Sequence, residues 1–456
     1  MHHPPLLALL ALLPLLLAHP TASTSLYLQL ESLQSNLTAL HSTLAPSWVS
    51  APNIRGTNSI LYSCLLTLFA CIYTALHLNI PARGSGRWRL LRDKCAWGFA
   101  ALIGPEVVLY YASSQFLEAR WLARDLRRVL GDEEGLLWKG QEEGVQMAEE
   151  GAQPKGGERQ AGDWRFNLKY GFFVVMGGLE MWHRAPGGSP VLRTLSPSGI
   201  RKLAAANLAP LKIPLSTIED RSKADTIQKG LVLLQVAWMA LQCITRKALG
   251  LPLTLLELHT MVHVVCAFIM YAFWFEKPLD VRNAELVDHA DFGDVALDEH
   301  TDFYPRRGNM PEYKLEWVLR GNVKEIFGSS DSLLVALLFV LPLLYGGVHL
   351  SAWGFEFPTA AEDVCWKAAC VFIALALVMW CLVHWVCMFA ELVLLHLCGL
   401  DVEYLTDLNL IVTGRIFFFV CVVCRLYIVI EAFVGLRAVP IGVYWTPSWI
   451  QMIPHV

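Results

Sequence analysis

A small set of polar side chains interrupts the apolar stretches of this sequence, and any chemistry must be built from them. Gln235 and Gln242 lie seven residues apart, His259 and His263 four apart, and Trp380, His384, Cys387 and Glu391 recur at i, i+4, i+7 and i+11. Each set therefore shares one face of a helix. Arg425 stands in the last apolar run with Glu431 six residues on, off its face, so it is expected to pair across helices with Glu391 or a backbone carbonyl. Ionisable groups at membrane depth are costly, turn toward protein or a water-filled cavity, and take partners. Gln235, Gln242, His259, His263, His384, Glu391 and Arg425 are accordingly the candidate lining of a cavity for a small amphipathic molecule.

Other chemistries find less support. His259 and His263 would suit acid–base work on a lipid or terpenoid, but a histidine pair falls short of the three protein ligands that zinc takes. HExxH, GxSxG and P-loop motifs are absent. So are the several histidine clusters of a membrane di-iron hydroxylase and the aspartate-rich magnesium motifs of a prenyltransferase-like cyclase. Glu257, near a helix start, suits the positive helix end. Cys421 and Cys424 form a CxxC inside an apolar run, where thiols pack as small hydrophobes. Asp288, His289, Asp291, Asp294, Asp298, Glu299, His300 and Asp302 crowd one loop without the register of a calcium loop, which makes it an acidic surface loop. No metal and no cofactor is expected, and the catalytic residues of an enzyme reading stay unassigned.

The elements that position these residues are helices in a bilayer. With 456 residues, 55% of them hydrophobic and 17% charged, the chain is too apolar for an ordinary soluble enzyme. A net charge of −4 offers no basic face for nucleic acid. The fold class expected is all-α, a polytopic transmembrane bundle of six or seven spans behind a signal peptide, with a cytosolic helical loop region and the lipid bilayer as its main partner. Residues 1–20 carry the apolar core of a signal peptide. Residues 21–58 form a lumenal or extracellular segment, in which Asn36-Leu37-Thr38 is the sole glycosylation sequon.

Spans are expected at 59–79, 227–246, 255–275, 333–350, 366–397 and 411–436. The arms 227–246 and 255–275 make a hairpin bounded by charge clusters. The segment 95–112 holds Pro105 and Glu106 at its middle and lies between basic stretches, so it either crosses as a seventh span or lies re-entrant or interfacial; the positive-inside tendency favours the re-entrant or interfacial placement. Residues 113–226 read as a cytosolic loop region. Within it, 131–162 is a solvated linker, 170–182 an apolar patch too short to span, and 195–212 an amphipathic helix. Residues 276–332 read as a polar loop and 437–456 as a tail with interfacial Trp445 and Trp449. The location expected is a membrane of the secretory pathway, the endoplasmic reticulum or the plasma membrane.

RGTNSILYSCLLTLFACIYTALHLNIP from residue 55, IGPEVVL at 103–109, IEDRSKAD at 218–225, LPLTLLEL at 251–258, FEKPLD at 275–280 and the closing IPHV follow one another in fixed order. In these blocks the chain resembles a large family of functionally uncharacterised fungal multipass membrane proteins. Asn58 departs from the aromatic expected after RGT. The resemblance implies a fungal source, a membrane location and a possible association with secondary metabolism. It transfers no catalytic residue. A receptor or scaffold is the third function class left open.

Overall fold

The structure, a computed structural model, describes residues 23–50, 54–75, 77–81, 83–147, 165–183, 189–219, 226–278, 281, 283–299, 301–304, 332–398 and 403–446. The predicted signal peptide therefore lies outside the described residues, as does Trp449. Helices dominate, and a helix satisfies each backbone N–H and C=O within its own segment, as an apolar surrounding requires. They are α1 (Ser23–Leu33), α2 (Leu37–Ser42), α3 (Thr57–Ala75), α4 (Arg87–Ile103), α5 (Pro105–Met147), α6 (Leu168–Val175), α7 (Pro197–Ala206), α8 (Leu215–Glu219), α9 (Thr226–Ala248), α10 (Leu255–Trp274), α11 (Ser332–His349), α12 (Ala360–Cys398) and α13 (Glu403–Val434).

Four helical stretches are long and apolar enough to cross a membrane: Leu255–Trp274, Leu333–Ala352, Ala360–Leu397 and Val412–Arg437. The pair α4–α5 would add a fifth, but its limbs bend by 112° at the break around Gly104. Length and apolarity thus give four or five candidate spans among the described residues, fewer than the six or seven expected. Two expected spans fall short: the apolar part of α3 is Thr57–Tyr73, and Gln235, Gln242, Arg246 and Lys247 interrupt α9.

The region expected to be purely helical contains a sheet. Strands β1 (Leu179–His183), β2 (Val191–Thr194) and β3 (Glu285–Val287) lie in the order β2-β1-β3, with β1 antiparallel to β2 and parallel to β3. The double glycine of the 170–182 patch is the turn into it: α6 ends at Val175, Gly177 takes φ +90°, and β1 follows. Only residues free of a Cβ penalty adopt that conformation readily. The amphipathic segment at 195–212 forms α7, capped by Ser196. The expected linker is also corrected in part, since α5 continues to Met147. Its Glu, Gln, Lys and Leu residues are good helix formers.

Two cores result. One, with Met239, Leu256, Tyr345, Trp366 and Ile428, lies among the long helices. The other, with Leu126, Tyr170, Met181, Ile200 and Phe303, fills the space between sheet, α5, α6 and α7. Fully burying one such large side chain stabilises by about 1.5–3 kcal/mol. The acidic loop lies at the surface as expected, with Asp288, Asp291, Asp294, Asp298 and Glu299 exposed, and Asp302 alone of the described cluster is buried against the second core. Asp302 is buried, takes Lys202 Nζ at 2.5 Å and accepts from Asp298 N at 2.7 Å, while Arg193 holds Glu299 at 2.8 Å. Burial alone would raise the Asp302 carboxyl; Lys202, Ser198 and the Asp298 N–H together hold it below the usual carboxylate range.

The two ends of the bundle are each tied together. At one end Arg83 pairs with Glu180 at 2.6 Å and donates to Ala284 O, and Lys277 Nζ donates to Asn79 Oδ1 at 3.0 Å. At the other, Ala45 N donates to Val439 O and Ile441 N to Thr43 O, while Arg246 donates to the carbonyls of Pro252, Gly442 and Trp445.

Candidate functional site

The α4–α5 break places a polar centre between the long helices. α4 ends at Ile103, Gly104 forms the corner, and Pro105 opens α5 at a position where a helix needs no N–H. Glu106, 3% exposed, stands in the first turn of α5 and forms an ion pair with Arg425 of α13. The guanidinium also donates to Ile103 O at 3.4 Å and lies over the Tyr345 ring at 4.6 Å. Gly104 lies against Arg425, since a Cβ there would stand 3.4 Å from its Nη1. Glu106 Oε2 and Tyr345 Oη are buried with no hydrogen-bond partner among the described residues.

The histidines stand beside this centre. His259 and His263 of α10 share a face, as their spacing predicts, and His349 of α11 completes a row. His263 Nε2 lies 3.1 Å from His259 Nε2, and His259 Nδ1 lies 3.2 Å from His349 Nε2. His349 Nδ1 donates to the Tyr345 carbonyl at 2.8 Å. All three rings are buried. The two contacts of His259 leave from opposite nitrogens, so no single point is close to all three rings. Among the described residues no group of three or more His, Cys, Asp or Glu side chains is arranged to hold a metal ion.

Glu257 occupies N3 of α10, where it forms a capping box with Thr254 and takes Arg55 at 2.5 Å. Its place near the helix start thus has a structural use, and Arg55 is the partner. At the far end of α10, Lys277 is caged by the carbonyls of His77, Asn79 and Gln115 over the face of Trp274. Burial pulls its amine well below the usual lysine range.

The seven predicted residues therefore separate. His259, His263 and Arg425 come together through Tyr345 and His349. Arg425 pairs across helices as expected, with Glu106 and with a backbone carbonyl, that of Ile103; of the two expected partners Glu391 is corrected, since it is half-buried on α12 and has no ion pair with Arg425. His384, about four turns along α12 from the buried Cys370, is half-buried with Nδ1 unpartnered among the described residues, and Trp380 packs against Gly414. Gln235 makes one long contact, to Thr67 Oγ1 at 3.4 Å, and Gln242 is half-buried. Sequence reasoning missed Glu106 and His349 as site residues, although both are ionisable residues at apolar runs and the same rule would have selected them. Asn36 is exposed and caps α2 by accepting from Ala39 N at 3.1 Å.

Residues 26–299 and 329–456 match a family described as of unknown function (DUF8562). The chain belongs to this family. The match leaves out residues 300–328 and spans the positions of Glu106, His259, His263, His349 and Arg425. No curated protein and no solved structure matches the chain.

Proposed function

We propose that this chain is a multipass integral membrane protein that binds and moves a small amphipathic molecule at the centre formed by Glu106, Arg425 and Tyr345. One observation carries the reading: a buried carboxylate oxygen of Glu106 and the buried Tyr345 hydroxyl have no partner at the tip of a broken helix. Buried polar groups are otherwise satisfied, so these are free to meet the polar end of a ligand. Broken helices whose ends turn inward at membrane depth are how transporters build substrate sites. His384 and Glu391 on α12 and Gln235 and Gln242 on α9 are candidates for outer positions along the path.

The same reading takes six crossings, α3, α9, α10, α11, α12 and α13, with α4–α5 re-entrant. Its support is that residues 77–84, just before α4, touch Glu180, Lys277 and Ala284, so the chain leaves and returns on one side. A cleaved signal peptide, a glycan on Asn36, a fungal source and a role in secondary metabolism belong to the proposal. The alternative of an embedded enzyme using His259 and His263 as acid and base is less favoured, because the row leaves only His263 Nδ1 open to a substrate.

The test compares metabolites of a deletion strain, its parent, and strains restored with wild type or Glu106→Gln. A correctly made product retained in the cell is expected for both the deletion and E106Q, with the variant present in the membrane. Normal export by E106Q overturns the assignment of the centre. A precursor that accumulates supports the enzyme reading instead, and an unchanged metabolite profile a receptor or scaffold.

A further inference from the structure

We infer that the His263–His259–His349 row is a binding site for one proton, filled from a single mouth and read out by Arg425. The inference rests on the proposed transport reading, for which it supplies the coupling ion.

The starting point is the backbone carbonyl of Tyr345. A carbonyl only accepts, so His349 Nδ1, 2.8 Å away, must carry a hydrogen. In a neutral ring His349 Nε2 is then a bare acceptor, and His259 Nδ1 must donate to it across 3.2 Å. That leaves His259 Nε2 bare, so His263 Nε2 must donate to it across 3.1 Å. One carbonyl thus sets the tautomer of three rings on two helices. The row is polarised from His263 toward Tyr345, and its one free lone pair is His263 Nδ1, which has no partner among the described residues.

A proton delivered by water can add only there. It forms a bond to His263 Nδ1; the His263 Nε2 proton passes to His259 Nε2; and the His259 Nδ1 proton passes to His349 Nε2. His349 becomes the imidazolium, keeping its charge-assisted bond to Tyr345 O. The carbonyl cannot take the proton onward, so the row stores one proton and conducts none through. Both N–H···N bonds reverse direction on filling.

Among the described residues, the charged groups on the packed elements leave the row without a carboxylate of its own. Glu257 on α10 is held by Arg55, Glu106 at the α5 tip by Arg425, and Arg246 of α9 by three carbonyls. Glu431 of α13 lies toward Gly435, and Cys64 of α3 is a buried thiol. The formal charge that shares a neighbour with His349 is Arg425. The His349 and Tyr345 rings lie 4.5 Å apart, and the Arg425 guanidinium lies 4.6 Å from the same Tyr345 ring. A second positive charge at His349 therefore weakens the hold of Arg425 on Tyr345 and Glu106, which links proton occupancy to the ligand centre.

The test is nitrogen-15 NMR on the full chain, labelled at its 14 histidines, in lipid nanodiscs. Couplings across N–H···N bonds identify the three rings without any variant. Near neutral pH the expected pattern is Nε2–H for His263 and Nδ1–H for His259 and His349. As pH falls from about 8 to about 4, through and below the ordinary imidazole range, one ring should gain a second N–H while the other two exchange tautomers together. His263→Gln should keep the His259 and His349 tautomers and abolish the exchange. Mixed tautomers at neutral pH, independent titration of the rings, or a pattern unchanged down to about pH 4 overturns the inference. Each of these is read without ligand, so failure here is separate from failure of the export test.

Discussion

Arg425→Ala leaves the Glu106 carboxylate buried without its cation. Breaking a buried pair from one side costs about 3–5 kcal/mol, so a large fall in the unfolding midpoint of the purified protein is expected. The double variant E106Q/R425M removes both charges and should recover most of that loss while export stays abolished. Thermal unfolding in detergent separates the two outcomes. If the double variant is no more stable than R425A, the ion pair is not what the site depends on. Asp302 carries the pH dependence. Its carboxyl sits below its unfolded value, so the folded state binds fewer protons there than the unfolded chain. The stability it contributes is complete above about pH 4 and is lost as pH falls through the folded value. Proteolysis of the sheet region should therefore accelerate in acid, and Asp302→Asn should show faster cleavage at neutral pH with a weaker acid response.

The elements meet at glycines, and these give sharper tests than the apolar faces do. At Gly171 of α6 a Cβ would run into the carbonyl of Ala119 on α5, and at Gly346 of α11 it would stand 2.6 Å from the carbonyl of Cys370 on α12. A backbone carbonyl cannot rotate aside as a side chain does. Gly171→Val should detach the sheet region from α5 and raise its hydrogen exchange, and Gly346→Val should lower the stability of the whole bundle. Much of this level was legible in the sequence. The runs at 255–275, 333–350, 366–397 and 411–436 are helices, the 195–212 helix is present, and the break at Pro105 bends as its residues imply. The sheet was not legible, because β3 is three residues long and pairs with a strand about a hundred residues earlier. The partner of Arg425 was hidden for the same reason. Helical periodicity reports which residues share a face, and Glu106 reaches Arg425 from another element 319 positions away.

For the whole molecule, the ties at each end fix which segments share a side. Residues 77–84, the sheet and Lys277 form one group; Thr43, Ala45, Arg246 and residues 439–445 form the other. An Asn-Gly-Thr sequon inserted between Ser189 and Pro190, beside β2, should stay unmodified in a cell that glycosylates Asn36, as seen by a glycosidase-sensitive shift in gel mobility. Modification at both would put the two groups on one side and dismiss the six-crossing arrangement. The parallel pairing of β1 with β3 has a further meaning in time. Between those strands the ribosome must make all of α9 and α10, and synthesis exposes the N-terminal part first. In the proposed six-crossing arrangement the sheet cannot close until β3 has emerged on the side where β1 already lies, which then requires the α9–α10 hairpin to have gone in and come back. Closure of three short strands thus certifies that the hairpin was inserted with both arms, and a chain that fails this step keeps an open strand edge that quality-control proteases can find.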